Sequence, residues 1–521
     1  MTPSRDAELL EYAPHVAAPA ISSATLRLGV LIVLALGLRV MQAARLECIS
    51  RDGVGYVRFA KELASDPRFY LKAELSQPGY SAVLLATRRT IGPWLSSDPV
   101  LAWERSGQLL DVLAGTAVVP LIFVLARRLF DDWVGLVAAG LAAVWPFAID
   151  SSADVLTDQP HLALYLASIV VALRALPMGR IAWLGVSGLL AGTAYLVRQE
   201  ALGLPIGVAA WWTLNGPVLP RTRRLAGVII TLVAFALPVA PYAIATGKVM
   251  HKKSLNSLLS DNAETAWRTD RSTANLAAAV RGFEIPLRMA EQWARCGNYI
   301  LPALALAGWF WPAVPRSRPA GRGLLFVLAL LHLAGVFARG RSFGEISTRY
   351  MLIPVALSLP WAAAGLWTLG SVLRVRSAVS PAALVLIVGA ALLTPLKNAP
   401  NHGKRSLRLV GTSIRRHSVP GEIILGDSKL SPVGFYADRR QVWPERGSAE
   451  QRWLDAIAAR PDYYVDDPRR SYAPGDEQMF LEHCRRAFTD TAVVEENGNG
   501  QVRVLVYLVG PTEGDWTRFP P

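Results

Sequence analysis

Arg51-Asp52-Gly53-Val54-Gly55-Tyr56, with Phe59-Ala60 and Glu62-Leu63 behind it, stands directly after the first long apolar run of the chain, residues 26–44. A run of about 20 apolar residues crosses the hydrocarbon core of a bilayer, and in lipid a helix satisfies its own backbone. Asp52 is therefore expected where a membrane helix surfaces, a place where ionisable groups are functional candidates. The flanking glycines let a ligand approach the backbone closely. A carboxylate so placed can take a proton from a hydroxyl. The same position also suits a turn or helix-capping aspartate.

Ten further apolar blocks follow, at about 107–126, 133–149, 160–176, 181–197, 201–214, 225–245, 298–314, 323–338, 350–369 and 381–396. Length alone, 521 residues, suggests about three soluble domains. Composition overrides that, because the chain is 52% hydrophobic with apolar residues in blocks rather than in alternation. Its mean hydropathy is +0.30. The expected fold class is an α-helical polytopic membrane protein of about eleven spans with a small α/β domain at its C-terminus.

Charge sets the expected topology. Arg127/Arg128, Arg174/Arg180, Arg221/Arg223/Arg224, Arg316/Arg318/Arg322 and Arg374/Arg376 occupy every second loop, while the loop at 150–159 carries three aspartates and no basic residue. Basic loops stay in the cytoplasm. The expectation is a cytoplasmic tail at 1–25, an uncleaved signal anchor, a transmembrane domain at 26–396 and a long first outer loop at 45–106. The loop at 246–297 and a domain at 397–521 then face the periplasm or exterior. Aromatics interspersed with Arg58, Lys61, Arg68 and Lys72 in the first outer loop suggest interfacial helices. In the tail, 422–425 and 502–507 read as strands and 448–460 as a helix.

The net charge of +14 does not indicate nucleic-acid binding. From residue 401 onward there are 17 basic and 17 acidic residues, so the excess lies among the spans. There it sets topology and meets lipid phosphates. Cys48, Cys296 and Cys484 lack zinc or redox spacing. A Cys48–Cys296 bridge is conceivable, both being expected on the outer side.

Further candidates for chemistry are few. Asp154, Asp158 and His161 have i, i+4, i+7 spacing, which a continuous helix would align on one face, and such a set can ligate a divalent metal. Thr157 or Asp158 equally suits the cap of the helix entered at Pro160. Three cationic places follow: Arg198-Gln199-Glu200, His251-Lys252-Lys253 and Arg349-Tyr350. Arginine forks suit phosphate, although Arg198 also has Glu200 as a ready partner.

These motifs resemble the GT-C superfamily of polytopic glycosyltransferases, most of all the bacterial branch of protein O-mannosyltransferases, aminoarabinose transferases and lipopolysaccharide core glycosyltransferases. The resemblance rests on Asp52-Gly-Val-Gly-Tyr56, Gln77-Pro78-Gly79-Tyr80-Ser81, the run from Gly188 through Gly192 to Arg198-Gln-Glu200, and Arg349-Tyr350 with Pro354. It covers about 26–396. Many relatives have Pro and Glu where this chain has Gln199 and Asp154.

The resemblance implies a polyprenyl-phosphate-linked sugar donor and a hydroxyl acceptor on a lipid, glycan or protein of the cell envelope. It makes Asp52 the catalytic base and Arg198, Arg349 and Lys252 the partners of the departing phosphate. Asp154 or Asp158 would be a second acidic group. A divalent metal is not favoured. The alternative is a polytopic transporter or lipid flippase, whose inverted repeats are not found in this sequence.

Overall fold

The structure, a computed structural model, describes residues 23–73, 76–178, 180–215, 220–247, 284–311, 319–343, 346–376, 381–426, 428–443, 449–466, 491–496 and 502–508. A helix lies at each of the eleven apolar blocks. Five of these helices, or six if one bent pair counts as a span, are by themselves long and apolar enough to cross a membrane.

The chain enters through α1 (Ser23–Ala44) and lays down four helices of the long loop at 45–106: α2 (Arg51–Ser65), α3 (Pro67–Ala73), α4 (Gly79–Thr90) and α5 (Gly92–Leu95). Next comes α6 (Pro99–Leu129), which starts earlier than the apolar block because Asp98 caps it by accepting from the Val100 and Leu101 amides. The block at 133–149 is two helices, α7 (Asp132–Ala143) and α8 (Pro146–Ala153), bent by 51°. Pro146 opens α8, since proline is tolerated in a first helical turn and not in an interior.

The bundle continues through α9 (Asp158–Met178), α10 (Ala182–Val197), α11 (Gly203–Asn215) and α12 (Arg221–Thr246). After these come α13 (Glu284–Cys296), α14 (Ile300–Phe310), α15 (Pro319–Phe343), α16 (Leu352–Arg376) and α17 (Pro381–Leu393). A core of Val, Leu, Ala and Trp side chains, including fully buried Trp145, Trp211 and Trp212, fills the space between them. At the seam of α14 and α16, a Cβ on Gly308 would lie 2.0 Å from the Trp361 carbonyl, and one on Gly365 would lie 1.8 Å from that of Leu304. Only glycine permits that backbone contact.

The tail folds as α18 (Arg405–His417), β1 (Ile423–Gly426), α19 (Ser431–Ala437), β2 (Arg440–Val442), α20 (Ala449–Ala458), β3 (Tyr463–Asp466), β4 (Thr491–Glu496) and β5 (Val502–Leu508). Its five-stranded sheet has the order β2-β1-β3-β5-β4. The first three strands are parallel neighbours, and β5 runs antiparallel to β3 and β4.

The tail is seated on the loop between α1 and α6 and on the N-terminal end of α6. The buried Tyr436 hydroxyl donates to Glu104 Oε2 at 3.0 Å and accepts from the Ile49 amide at 3.1 Å. Arg408 lies 4.9 Å from the Tyr436 ring centre and 3.4 Å from Glu104 Oε1. Arg415 donates to both oxygens of Asp98, at 3.0 and 2.8 Å. Tyr436→Phe leaves two buried polar partners unmade, so a loss of about 1–3 kcal/mol is expected. Thermal unfolding of the detergent-purified protein measures it, and an unchanged midpoint would show the hydroxyl to be idle. Cys48 and Cys296 are free buried thiols, not a bridge.

Candidate active site

Ser50 starts α2: its Oγ accepts from the Gly53 amide at 3.2 Å. This sets Asp52 in the first helical turn, where the helix dipole favours a carboxylate. One turn on and on the same face is Tyr56, whose hydroxyl lies 3.3 Å from Thr157 Oγ1. Burial pushes the Tyr56 phenol above its ordinary pKa, while Arg198 and Arg349 pull against that rise.

The loop at 150–159 is not one helix. Residues 154–157 break it between α8 and α9, so Asp154 and Asp158 do not share the helical face that their spacing suggested. Asp154 is turned away from the cavity and is held by backbone amides. Asp158 is the centre of the cationic cluster rather than a cap. Its side chain, 2% exposed, accepts from Arg198 Nη1 through Oδ1 at 2.6 Å, and from Arg349 Nε through Oδ2 at 2.8 Å. His161 lies behind, its Nδ1 3.3 Å from the Ala194 carbonyl.

Arg198 leaves the end of α10 in extended conformation and reaches back. Its Nη2 is 3.2 Å from Glu200 Oε1, and its Nη1 is 3.3 Å from Thr157 Oγ1. Burial works against the charge on Arg198, but Glu200 and Asp158 outweigh it and hold its pKa well above the ordinary value. Arg349 sits in a short 3-10 turn, Thr348–Met351, and also pairs directly with Asp52. Three candidates from distant parts of the sequence, Asp52, Arg198 and Arg349, are thus brought together around Asp158. Lys252, with His251 and Lys253, lies outside the described residues.

The group opens on a polar cavity of about 310 Å³. Asp52 and Glu200 supply its acids and Arg198, Arg339 and Arg349 its cations, beside Tyr56, Gln77 and Tyr350. Arg339 has no motif around it in the sequence, being one of two arginines near the C-terminal end of α15; its guanidinium is 4.9 Å from the Tyr350 ring centre. Gln77 was noted only within a turn motif. It is 5% exposed, and its side chain meets the Tyr195 phenol.

A second cavity, apolar and of about 720 Å³, lies between α13, α14, α15 and α16. Pro286, Met289, Trp293 and Trp309 line it, and so does Pro354, four residues after Tyr350 of the polar cavity. The Thr348 hydroxyl donates to Gln292 Oε1 of α13, which ties the wall of the apolar cavity to the turn carrying Arg349. Among the described residues, no three His, Cys, Asp or Glu side chains gather in a metal-binding group.

The helical bundle, the short helices after α1 and the seated α/β tail form a fold shared with solved structures of ArnT and of an oligosaccharyltransferase. Residues 102–244, which include Asp154, Asp158 and Arg198, match the family described as dolichyl-phosphate-mannose-protein mannosyltransferase. The chain is similar to ArnT from Cupriavidus metallidurans in the apo state, with a TM-score of 0.59 and 14% identity over 93% of this chain and 98% of that one. The same protein bound to undecaprenyl phosphate gives 0.57 at 15% identity, with the same coverage. An oligosaccharyltransferase from Archaeoglobus fulgidus, in the apo form, gives 0.58 at 11% identity over 85% of this chain and 69% of that one. No curated protein matches the chain by sequence.

Proposed function

We propose that this protein is an inverting glycosyltransferase that moves a sugar from a polyprenyl-phosphate donor to a hydroxyl acceptor at the outer face of the membrane. The observation that carries the reading is the meeting of Asp52 with the Arg198 and Arg349 pair in one polar cavity at the helix ends. The apolar cavity beyond Pro354 offers hydrocarbon surroundings for the isoprenoid chain, with the phosphate left at the arginines. The match of the fold to a protein bound to undecaprenyl phosphate is consistent with that donor class.

In this reading the acceptor oxygen forms a bond to the anomeric carbon as the bond from that carbon to the phosphate oxygen breaks. The hydroxyl proton passes to the Asp52 carboxylate. The departing phosphate gains negative charge, which Arg198 and Arg349 stabilise from fixed positions. One displacement inverts the anomeric centre, by analogy with inverting glycoside chemistry. Asp158 does not supply a sugar nucleophile, because both its oxygens are committed to arginines.

The testing experiment is deletion of the gene followed by mass analysis of membrane glycolipids and glycoproteins. The expected result is loss of one sugar from one acceptor together with accumulation of a polyprenyl-phosphate sugar. Unchanged glycoconjugates with a defect in lipid or solute movement would overturn the reading and favour a transporter.

The reading takes no metal. The Asp154 and Asp158 oxygens already accept hydrogen bonds from amides and arginines. Transfer by the purified protein is therefore expected to persist in EDTA. Loss that a divalent cation restores would assign a metal to these carboxylates.

A further inference from the structure

We propose that Asp154 and Asn401 are positioning residues that lock the first turn of α2, and so aim Asp52, which makes the outer tail a working part of the active site. The proposal rests on the transferase reading of the cavity.

Asp154 is 4% exposed and joins three segments remote in sequence. Its Oδ1 accepts from the Ser50 amide at 3.0 Å and from the Val155 amide at 2.7 Å. Its Oδ2 accepts from Asn401 Nδ2 at 3.0 Å. The same Asn401 nitrogen donates to the Cys48 carbonyl at 2.8 Å, and Lys404 Nζ donates to Asn401 Oδ1 at 3.1 Å. Ser50 is the cap of α2, and Asp52 is two residues further on. The turn also rests directly on the loop at 150–159, since a Cβ on Gly53 would lie 2.9 Å from the Val155 carbonyl.

The backbone of Asn401 is left-handed, at φ 55. Asparagine accepts that conformation more readily than most residues, because its side chain finds local partners. Two adjoining contacts extend the seam: the Gly403 amide donates to Glu47 Oε2 at 2.8 Å, and Arg408 to the Leu46 carbonyl at 3.4 Å. Neither Asp154 nor Asn401 lines the polar cavity. Their effect on chemistry passes through Ser50 and the placement of Asp52, not through contact with the donor. Misplacement of a reacting group by about 1 Å can cost on the order of 10²-fold in rate.

The test uses the full-length protein in detergent or proteoliposomes. Asn401→Gly keeps the left-handed backbone and removes both amide hydrogen bonds. Its kcat is expected to fall about 10-fold or more, with the donor KM within about two-fold of the starting value. Amide hydrogen exchange across 50–56 is expected to quicken, while that across 347–351 stays as it was. Asn401→Asp, which tolerates the same backbone and faces Asp154 with like charge, is expected to lose more rate than Asn401→Gly. Unchanged exchange at 50–56 would overturn the coupling whatever the activity. Faster exchange with undiminished kcat would overturn the positioning role, and so would a fall in kcat matched by a large rise in donor KM. Faster exchange in a protein whose unmutated form transfers no sugar would leave the coupling standing and overturn the transferase reading instead.

Discussion

Asp52→Asn is expected to lower sugar transfer by about 10²-fold or more while the protein still accumulates in the membrane. The asparagine has the same shape and lacks only the proton-accepting charge. Asp52 is half exposed, with 50% of its side chain accessible, so little buried structure depends on it. Loss of a carboxylate from a first helical turn costs about 0.3–1 kcal/mol, which a folded membrane domain tolerates. Arg198 and Arg349 remain anchored by Asp158, so the donor should still bind. The measurement is transfer per mole of intact protein in matched membranes, with donor-lipid binding as the companion. Near-normal transfer would take the base role away from Asp52.

Asp158→Ala is expected to act through stability first. The carboxylate is enclosed, and it stands between two guanidinium groups whose side chains are 13% and 27% exposed. Removing the anion leaves two like charges facing each other with reduced access to water. Breaking a buried ion pair from one side costs about 3–5 kcal/mol, and the part exposure of the arginines argues for the lower end. The purified variant should unfold at a clearly lower temperature and lose transfer together with its folded fraction. A midpoint equal to that of the unmutated protein would show that Asp158 does not hold the cluster.

Much of the scaffold was legible because a membrane imposes length and composition on the helices crossing it. Each of the eleven apolar blocks proved helical, and Asp52, Arg198 and Arg349 were each identified at a helix end. Two things were read incorrectly or incompletely. Asp154, Asp158 and His161 were aligned by spacing on an assumed single helix, whereas the chain breaks at 154–157 and sends Asp154 toward the tail and Asp158 toward the arginines. Spacing reports a shared face only while the helix continues. Pro146 is the local signal of the bend between α7 and α8.

The convergence of Arg339, Gln77 and Tyr350 on the cavity had no local signal, because it depends on which helix ends meet across the bundle. The tail was half legible. The strand at 502–508 has enough β-branched residues to be recognised, but Arg440–Val442 and Tyr463–Asp466 are too short to show alternation. Their place in the sheet comes from parallel pairing with β1, a long-range property.

The backbone contact between Gly308 and Gly365 bears on how a greasy substrate can arrive. At that crossing α14 and α16 are zipped main chain to main chain, with no side chain between them to swing aside. On the proposed transferase reading, a prenyl tail would have no doorway through this wall, and any substitution that adds even a methyl group there must prise the two helices apart.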